Sequence, residues 1–129
     1  MGNMVKKEEY GVEKHILIAN NSYMVTLPAI IKQGEGTPDS NGRTIAKAGS
    51  PLFGNIEKRD VGFKVRDLEG KPSCVLLHDV DTTDGDANGT IVIAGCVDWL
   101  KLDDDAKSLY SNVNKSDLPR IIFVEGSAI

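Results

Sequence analysis

Aromatic residues are scarce in this chain: three Phe, three Tyr and one Trp, 5% of 129 residues. A sugar-stacking platform or a groove for single-stranded nucleic acid needs several rings in a row, and few are on offer. Basic residues are not in excess either. Fifteen Lys and Arg against nineteen Asp and Glu give a net charge of −4, so no chain-wide positive field draws in phosphate backbones or anionic lipid, and neither nucleic acid nor membrane is an expected partner. Long apolar runs are missing. The longest, such as Ile16 to Ala19 and Ile91 to Gly95, are about a quarter of the roughly 20 residues that cross a bilayer as a helix. Met1 to Glu9 is polar and charged, without an apolar stretch or a small-residue cleavage site, so no secretory signal is expected. Synthesis and use in a cytoplasm follow as the expectation. Gly-rich phosphate loops between a strand and a helix, and nucleophile elbows, are absent too.

Cysteine is nearly absent. Cys74 and Cys96 sit inside apolar, strand-like runs, where a thiol behaves as a small buried hydrophobe. No C-x-x-C spacing exists, and a reducing compartment favours two free thiols, although neighbouring strands would allow one disulfide.

What is present suits one compact domain. Hydrophobic residues make up 40% and charged residues 26%, ordinary values for a folded soluble chain. Residues 1–14 are the exception. Lys6, Lys7, Glu8, Glu9, Glu13 and Lys14 surround only Met4, Val5, Tyr10 and Val12, too little apolar area to join a core unaided. The stretch reads as an extended N-terminal arm held by a partner, leaving 15–129 as a single β-rich domain.

Turn residues punctuate the remainder. His15 to Ala19 and Tyr23 to Leu27 are β-prone runs around Asn20-Asn21-Ser22, a hairpin signal. Gly34 to Gly54 is rich in Gly, Pro, Asp and Asn around a short apolar break near Ile45, which predicts a long loop able to contact partners. Val61, Phe63 and Val65 alternate with Gly62, Lys64 and Arg66, the period of a strand with one buried face. Cys74 to His78 and Thr90 to Val97 are apolar throughout, as strands covered on both faces are. Ala106, Leu109, Tyr110 and Val113 recur at helical spacing behind a run of aspartates, predicting one short helix within Asp103 to Asn112. Arg120 to Val124 reads as a last strand before a tail of Glu125 to Ile129. Short strands separated by turns predict an all-β fold, a small β-barrel or sandwich; parallel βαβ architecture is disfavoured for want of crossover helices.

The sharpest chemical motif is Asp84-Gly85-Asp86-Ala87-Asn88-Gly89, which matches the first six positions of a calcium loop, with Asp84, Asp86 and Asn88 as candidate ligands. The twelfth position, which should hold a bidentate Glu, falls on Gly95. An acidic hairpin turn between Cys74 to Asp81 and Thr90 to Asp98 is the competing reading. His78 with Cys74 and Cys96 offers three zinc donors where four are needed, at spacings unlike structural zinc sites. His78 and Asp79, adjacent on a strand, point to opposite faces and make a poor base with its orienter. Asp79, Asp81, Asp84 and Asp86 supply enough carboxylates for glycoside hydrolysis, but a cluster in one turn also serves as a solvated surface. Trp99 closes the long apolar strand beside Leu100 and Leu102. It reads either as a cap on the core or as an anchor in an oligomer interface.

One resemblance runs through these residues. Val75-Leu76-Leu77-His78-Asp79-Val80-Asp81, the polar turn Asp84 to Gly89, and Thr90-Ile91-Val92-Ile93-Ala94-Gly95-Cys96-Val97-Asp98-Trp99-Leu100 together resemble the head decoration and head-fibre proteins of tailed bacteriophages. Ala48-Gly49-Ser50-Pro51-Leu52 is similar to their entry loop. The likeness covers residues 48–102 and is a pattern of hydrophobicity and turns, with no catalytic signature. It implies a structural virion protein, not an enzyme, without cofactor. The implied fold is a small β-barrel or a β-tulip-like sandwich, often trimeric, seated on the outer surface of the capsid. The implied partners are the major capsid protein and further copies of the chain, with host-surface glycans a further option. In that picture Met4, Val5, Tyr10 and Val12 belong to a capsid-binding arm, and Trp99, Leu100 and Leu102 to the oligomer interface. Asp103 to Pro119 is insertion-like beside the lambda-type members. The rivals from other classes are a calcium-dependent carbohydrate-binding or adhesion module using Asp84, Asp86 and Asn88, and a small hydrolase built on the carboxylates from Asp79 to Asp86.

Overall fold

The computed structural model of the chain describes residues 16, 24–67 and 70–125. Its strands are β1 (Val25–Ile31), β2 (Thr37–Pro38), β3 (Thr44–Ala46), β4 (Pro51–Leu52), β5 (Cys74–Leu76), β6 (Val80–Asp81), β7 (Ala87–Asp98) and β8 (Ile121–Val124). Among the described residues one α-helix, α1 (Asp104–Ser108), lies between short turns of 3-10 helix. The fold is all-β, as the turn-broken apolar runs predict, and it is sandwich-like rather than a closed barrel.

β7 organises the larger sheet. Antiparallel β1 pairs with it from Ala87 to Ala94, antiparallel β5 joins it at Ile91 and Val92, and β4 pairs in turn with β5. A smaller antiparallel sheet has the order β2-β3-β6. The runs either side of the acidic segment are antiparallel partners, as the hairpin reading expects, but the connection is not a tight turn: after β5 the chain crosses into the smaller sheet as β6 before returning as β7.

The apolar runs at β5 and β7 are explained by burial on both faces. Successive strand residues point to opposite sides, and here each side has its own core. Val75 and Val92 join Ile16, Val97, Leu102, Tyr110, Leu118 and Ile121 in one apolar cluster. Leu76 and Ile91 join Ile31, Leu52, Phe63, Val65, Ala46 and Val80 in the other. The first cluster is roofed by the segment after β7; the second by the smaller sheet and the stretch around Phe63.

The roof over the first cluster is the segment that includes Asp103 to Pro119. Residues 99–120 carry the chain from β7 back to β8, which pairs with β7 in parallel from Gly95↔Ile121 to Asp98↔Val124. Parallel neighbours need a crossover, and α1 with its flanking turns provides one. A local parallel pair thus exists despite the scarcity of helix. The expected helix is present but shorter, Asp104–Ser108, continuing as a 3-10 turn over Leu109–Asn112, with Ala106 and Tyr110 buried.

Three further expectations change. Val61 is 65% exposed while Phe63 and Val65 are buried, and this stretch forms only isolated bridges, Ile31↔Phe63 and Phe53↔Lys64. Of the predicted first hairpin, the second run is seen as the start of β1, which extends to Ile31; the first run and its turn lie outside the described residues apart from Ile16, whose carbonyl accepts from the Asp98 N–H at 2.7 Å. The predicted partner-contacting loop carries β2, β3 and β4, and Ala46, Ala48, Gly49, Ser50, Pro51 and Leu52 are all buried. Small side chains permit that inward path. Gly49 has φ +90, and a Cβ there would stand 2.1 Å from Leu102 Cδ2, so both the backbone conformation and the space require glycine.

Candidate functional site

The carboxylates that invite a catalytic or calcium reading are each tied to a neighbouring loop. Asp79 Oδ1 accepts the backbone N–H of buried Ala48 at 2.7 Å. Asp81 accepts from Arg43 Nε at 2.8 Å and, through its other oxygen, from the Thr83 hydroxyl at 2.6 Å and backbone N–H at 3.0 Å. Asp84 accepts from the second fork of Arg43 at 2.8 Å. Asp86 accepts the Gln33 N–H at 2.8 Å and stands 3.4 Å from Lys32 Nζ.

Arg43 is placed for this by a tight turn. β2 and β3 form a hairpin in which the Asp39 N–H donates to the Arg43 carbonyl at 2.7 Å, and Asp39 Oδ1 accepts the N–H groups of Asn41 and Arg43. The rigid guanidinium fork then spans Asp81 and Asp84. The hydrogen bond from Arg43, followed by those from Thr83, holds the Asp81 carboxyl down to about 2. Asp86 is lowered mainly by the Gln33 N–H. Both are exposed, so these ties position a loop more than they stabilise the fold.

Of the three candidate calcium ligands, Asp84 and Asp86 are thus engaged by cations of the chain itself. Asn88 lies in β7, in register with Ile30 of β1. The motif is split between a loop and a sheet ladder, not wound into one ligand shell. Among the described residues no three His, Cys, Asp or Glu side chains gather as a metal group. Cys74 and Cys96 are free thiols, the first buried, and burial pushes Cys74 up to about 12. His78 follows β5 at the predicted strand end; its Nδ1 is buried and has no hydrogen-bond partner among the described residues. One surface depression is lined by Pro28, Ile30, Glu57, Arg59 and Asn88, and another by Phe53, Val65, Arg66, Leu109 and Val113. Asp79, Asp81, Asp84 and Asp86 line neither.

The second candidate region is the end of β7. Trp99 packs edge-on against Tyr110 and Phe123, with ring centroids at 5.3 and 5.8 Å, and Tyr110 and Phe123 stand 5.4 Å apart. Edge-to-face geometry of this kind is favourable beyond the area it buries. Lys115 Nζ lies 3.7 Å from the Trp99 ring centroid, a cation–π contact. Leu102 is 4% exposed and packs in the core beside Gly49, so it has no surface to offer a partner. Leu100 is the member of the proposed trio that does, at 59% exposed, with Ile122 of β8 at 60%. The 3-10 turn Trp99–Lys101 and β8 are neighbours in the fold, so both exposed side chains belong to the β7–β8 side of the molecule.

Ile122 had no signal in the sequence, because it sits in an unbroken apolar run that reads as buried. Arg43 and Lys115 were also silent: their partners are 38 to 41 and 16 positions away. Met4, Val5, Tyr10 and Val12, the residues of the expected arm, lie outside the described residues. No family model, no curated protein and no solved structure matches this chain.

Proposed function

We propose that the chain is a structural virion protein, a head decoration protein that binds the outer surface of a tailed-phage capsid and reinforces the shell. The observation that carries this reading is the ordered pattern from Val75 to Leu100, which resembles decoration proteins and ends in an exposed leucine, with a second exposed apolar side chain, Ile122, on the neighbouring strand β8. Large apolar side chains left in water are what a contact surface needs. In this reading Leu100 and Ile122 contribute to contacts with a second copy or with the major capsid protein, Trp99 supports them from behind, and Met4, Val5, Tyr10 and Val12 belong to an arm that reaches onto the capsid.

The physics of such a role is modest contacts repeated many times. An extended arm can add a strand to a neighbouring sheet through main-chain hydrogen bonds, with little demand on its sequence. Copies that fasten adjacent capsid subunits gain from multivalency, so weak individual contacts stabilise a shell. No reaction chemistry is required, and the carboxylates of the acidic turn serve to hold loops. The test is sedimentation of the purified chain with expanded, undecorated heads of its phage. Saturable co-sedimentation is expected; a chain that stays in the supernatant at every ratio contradicts the proposal. Calcium titration by calorimetry separates the carbohydrate-module rival, which alone requires tight binding.

A further inference from the structure

We propose that Asn41–Gly42 is a site of spontaneous deamidation, and that the same dipeptide at Asn88–Gly89 is protected by the fold. In this chemistry the backbone nitrogen of Gly42 attacks Cγ of Asn41. A C–N bond forms, the side-chain nitrogen leaves as ammonia with the proton from Gly42, and a five-membered succinimide results. Solvent water then opens the ring at either carbonyl, leaving aspartate or isoaspartate. Glycine after asparagine favours the step because no Cβ hinders the attacking nitrogen.

The two sites share this local sequence and differ in surroundings. Asn41 and Gly42 are exposed at the tip of the β2–β3 hairpin, Gly42 has φ +81, and nothing lies within 4 Å of where its Cβ would be. The Gly42 N–H is held by one long bond, 3.3 Å to the Asp39 carbonyl. Swinging it toward Cγ gives up that bond and little else. Asn88 and Gly89 lie in the ladder between β7 and β1, paired with Ile30 and Ala29. Gly89 is hemmed in by Ile31 and Val80, whose side-chain carbons come within 3.0 and 3.1 Å of a Cβ placed there. Asn88 is itself exposed, but reaction there requires releasing the Gly89 backbone from its pairing with β1, and opening a strand ladder costs more than moving a turn tip.

The product has a local consequence. Isoaspartate inserts one extra carbon into the backbone between Asp39 and Arg43, the two residues whose pairing closes the turn, and either product adds a carboxylate two residues before Arg43, which bridges Asp81 and Asp84. The loop clamp is therefore what ages first.

The experiment is incubation of the full chain in warm, mildly alkaline buffer, with peptide mapping by mass spectrometry to follow amide loss at each asparagine. A parallel sample in concentrated urea reports the rates without the fold. Conversion at Asn41 is expected to outrun that at Asn88 by roughly an order of magnitude or more when folded, and the two rates to converge in urea. Equal rates in the folded chain, faster loss at Asn88, or the same ratio in urea as in buffer overturns the proposal.

Discussion

At the scale of single residues, Leu100 and Leu102 separate two kinds of apolar side chain that look alike in sequence. Leu102 fills space beside Gly49 in the core, and Leu100 faces solvent. Leu102→Ala is expected to cost about 2–4 kcal/mol in urea unfolding, the range for truncating a buried leucine. Leu100→Ser should change stability by no more than about 0.5 kcal/mol while weakening whatever contact that surface makes. A destabilisation by Leu100→Ser as large as that of Leu102→Ala would place Leu100 in the core after all. Tyr110 gives a second residue-scale prediction. Its hydroxyl donates to the Gly49 carbonyl at 2.6 Å in a buried setting, so Tyr110→Phe strands a buried acceptor and should cost about 1–3 kcal/mol. Burial first, and then Cys74, pushes the Tyr110 phenol far above its ordinary value, and burial pushes Cys74 up to about 12. Both raised groups stay protonated in the native chain after the unfolded chain has begun to release its protons at roughly pH 8.5 for Cys and 10 for Tyr. Their contribution is complete below that range and is lost as pH rises through it. Denaturation midpoints should be flat up to about pH 8 and fall above it, with Tyr110→Phe flattening the upper part of the fall.

At the scale of elements, Arg43 joins the β2–β3 hairpin to the segment between β6 and β7. Arg43→Ala should leave global stability within about 1 kcal/mol, because the ion pairs are exposed, and yet raise amide exchange in residues 81–86 more than in the β1–β7 ladder. Uniformly faster exchange would show that Arg43 supports the whole fold and not one loop. Acid should act in the same place. Asp81 is held down to about 2, so its tie to Arg43 is intact above about pH 4 and weakens as pH falls toward that value. How much of this was legible follows from the physics of each element. The double-faced burial of β5 and β7 showed in their unbroken apolar runs, and the short helix in the spacing of Ala106 and Tyr110. The departure of β6 into a second sheet did not show, since Val80-Asp81 carries no mark of which sheet it joins. Nor did the inward turn of Ala46 to Leu52, where glycine and proline suggest surface loop but small volume allows burial. The acidic turn was legible as acidic; that Arg43 neutralises two of its members depends on a hairpin 38 residues upstream of Asp81.

At the scale of the whole molecule, the sheet has its central strands β5 and β7 buried on both faces and a crossover that returns the chain to β8, and the exposed Leu100 and Ile122 lie at its β7–β8 side. The proposed capsid contacts divide between that side and the polar leader. Removing residues 2–14 should lower capsid occupancy while leaving the unfolding midpoint of the remainder close to that of the full chain. Undiminished occupancy would remove the arm from the mechanism. On the proposed function, the most direct measurement is cryo-electron microscopy of intact particles of the tailed phage to which the chain would belong. Density matching the β-sandwich is expected on the outer surface of the shell, repeated at three-fold or quasi-three-fold positions, with the leader running onto capsid subunits. A shell whose outer surface is bare, in particles shown by mass spectrometry to lack the chain, would contradict the account.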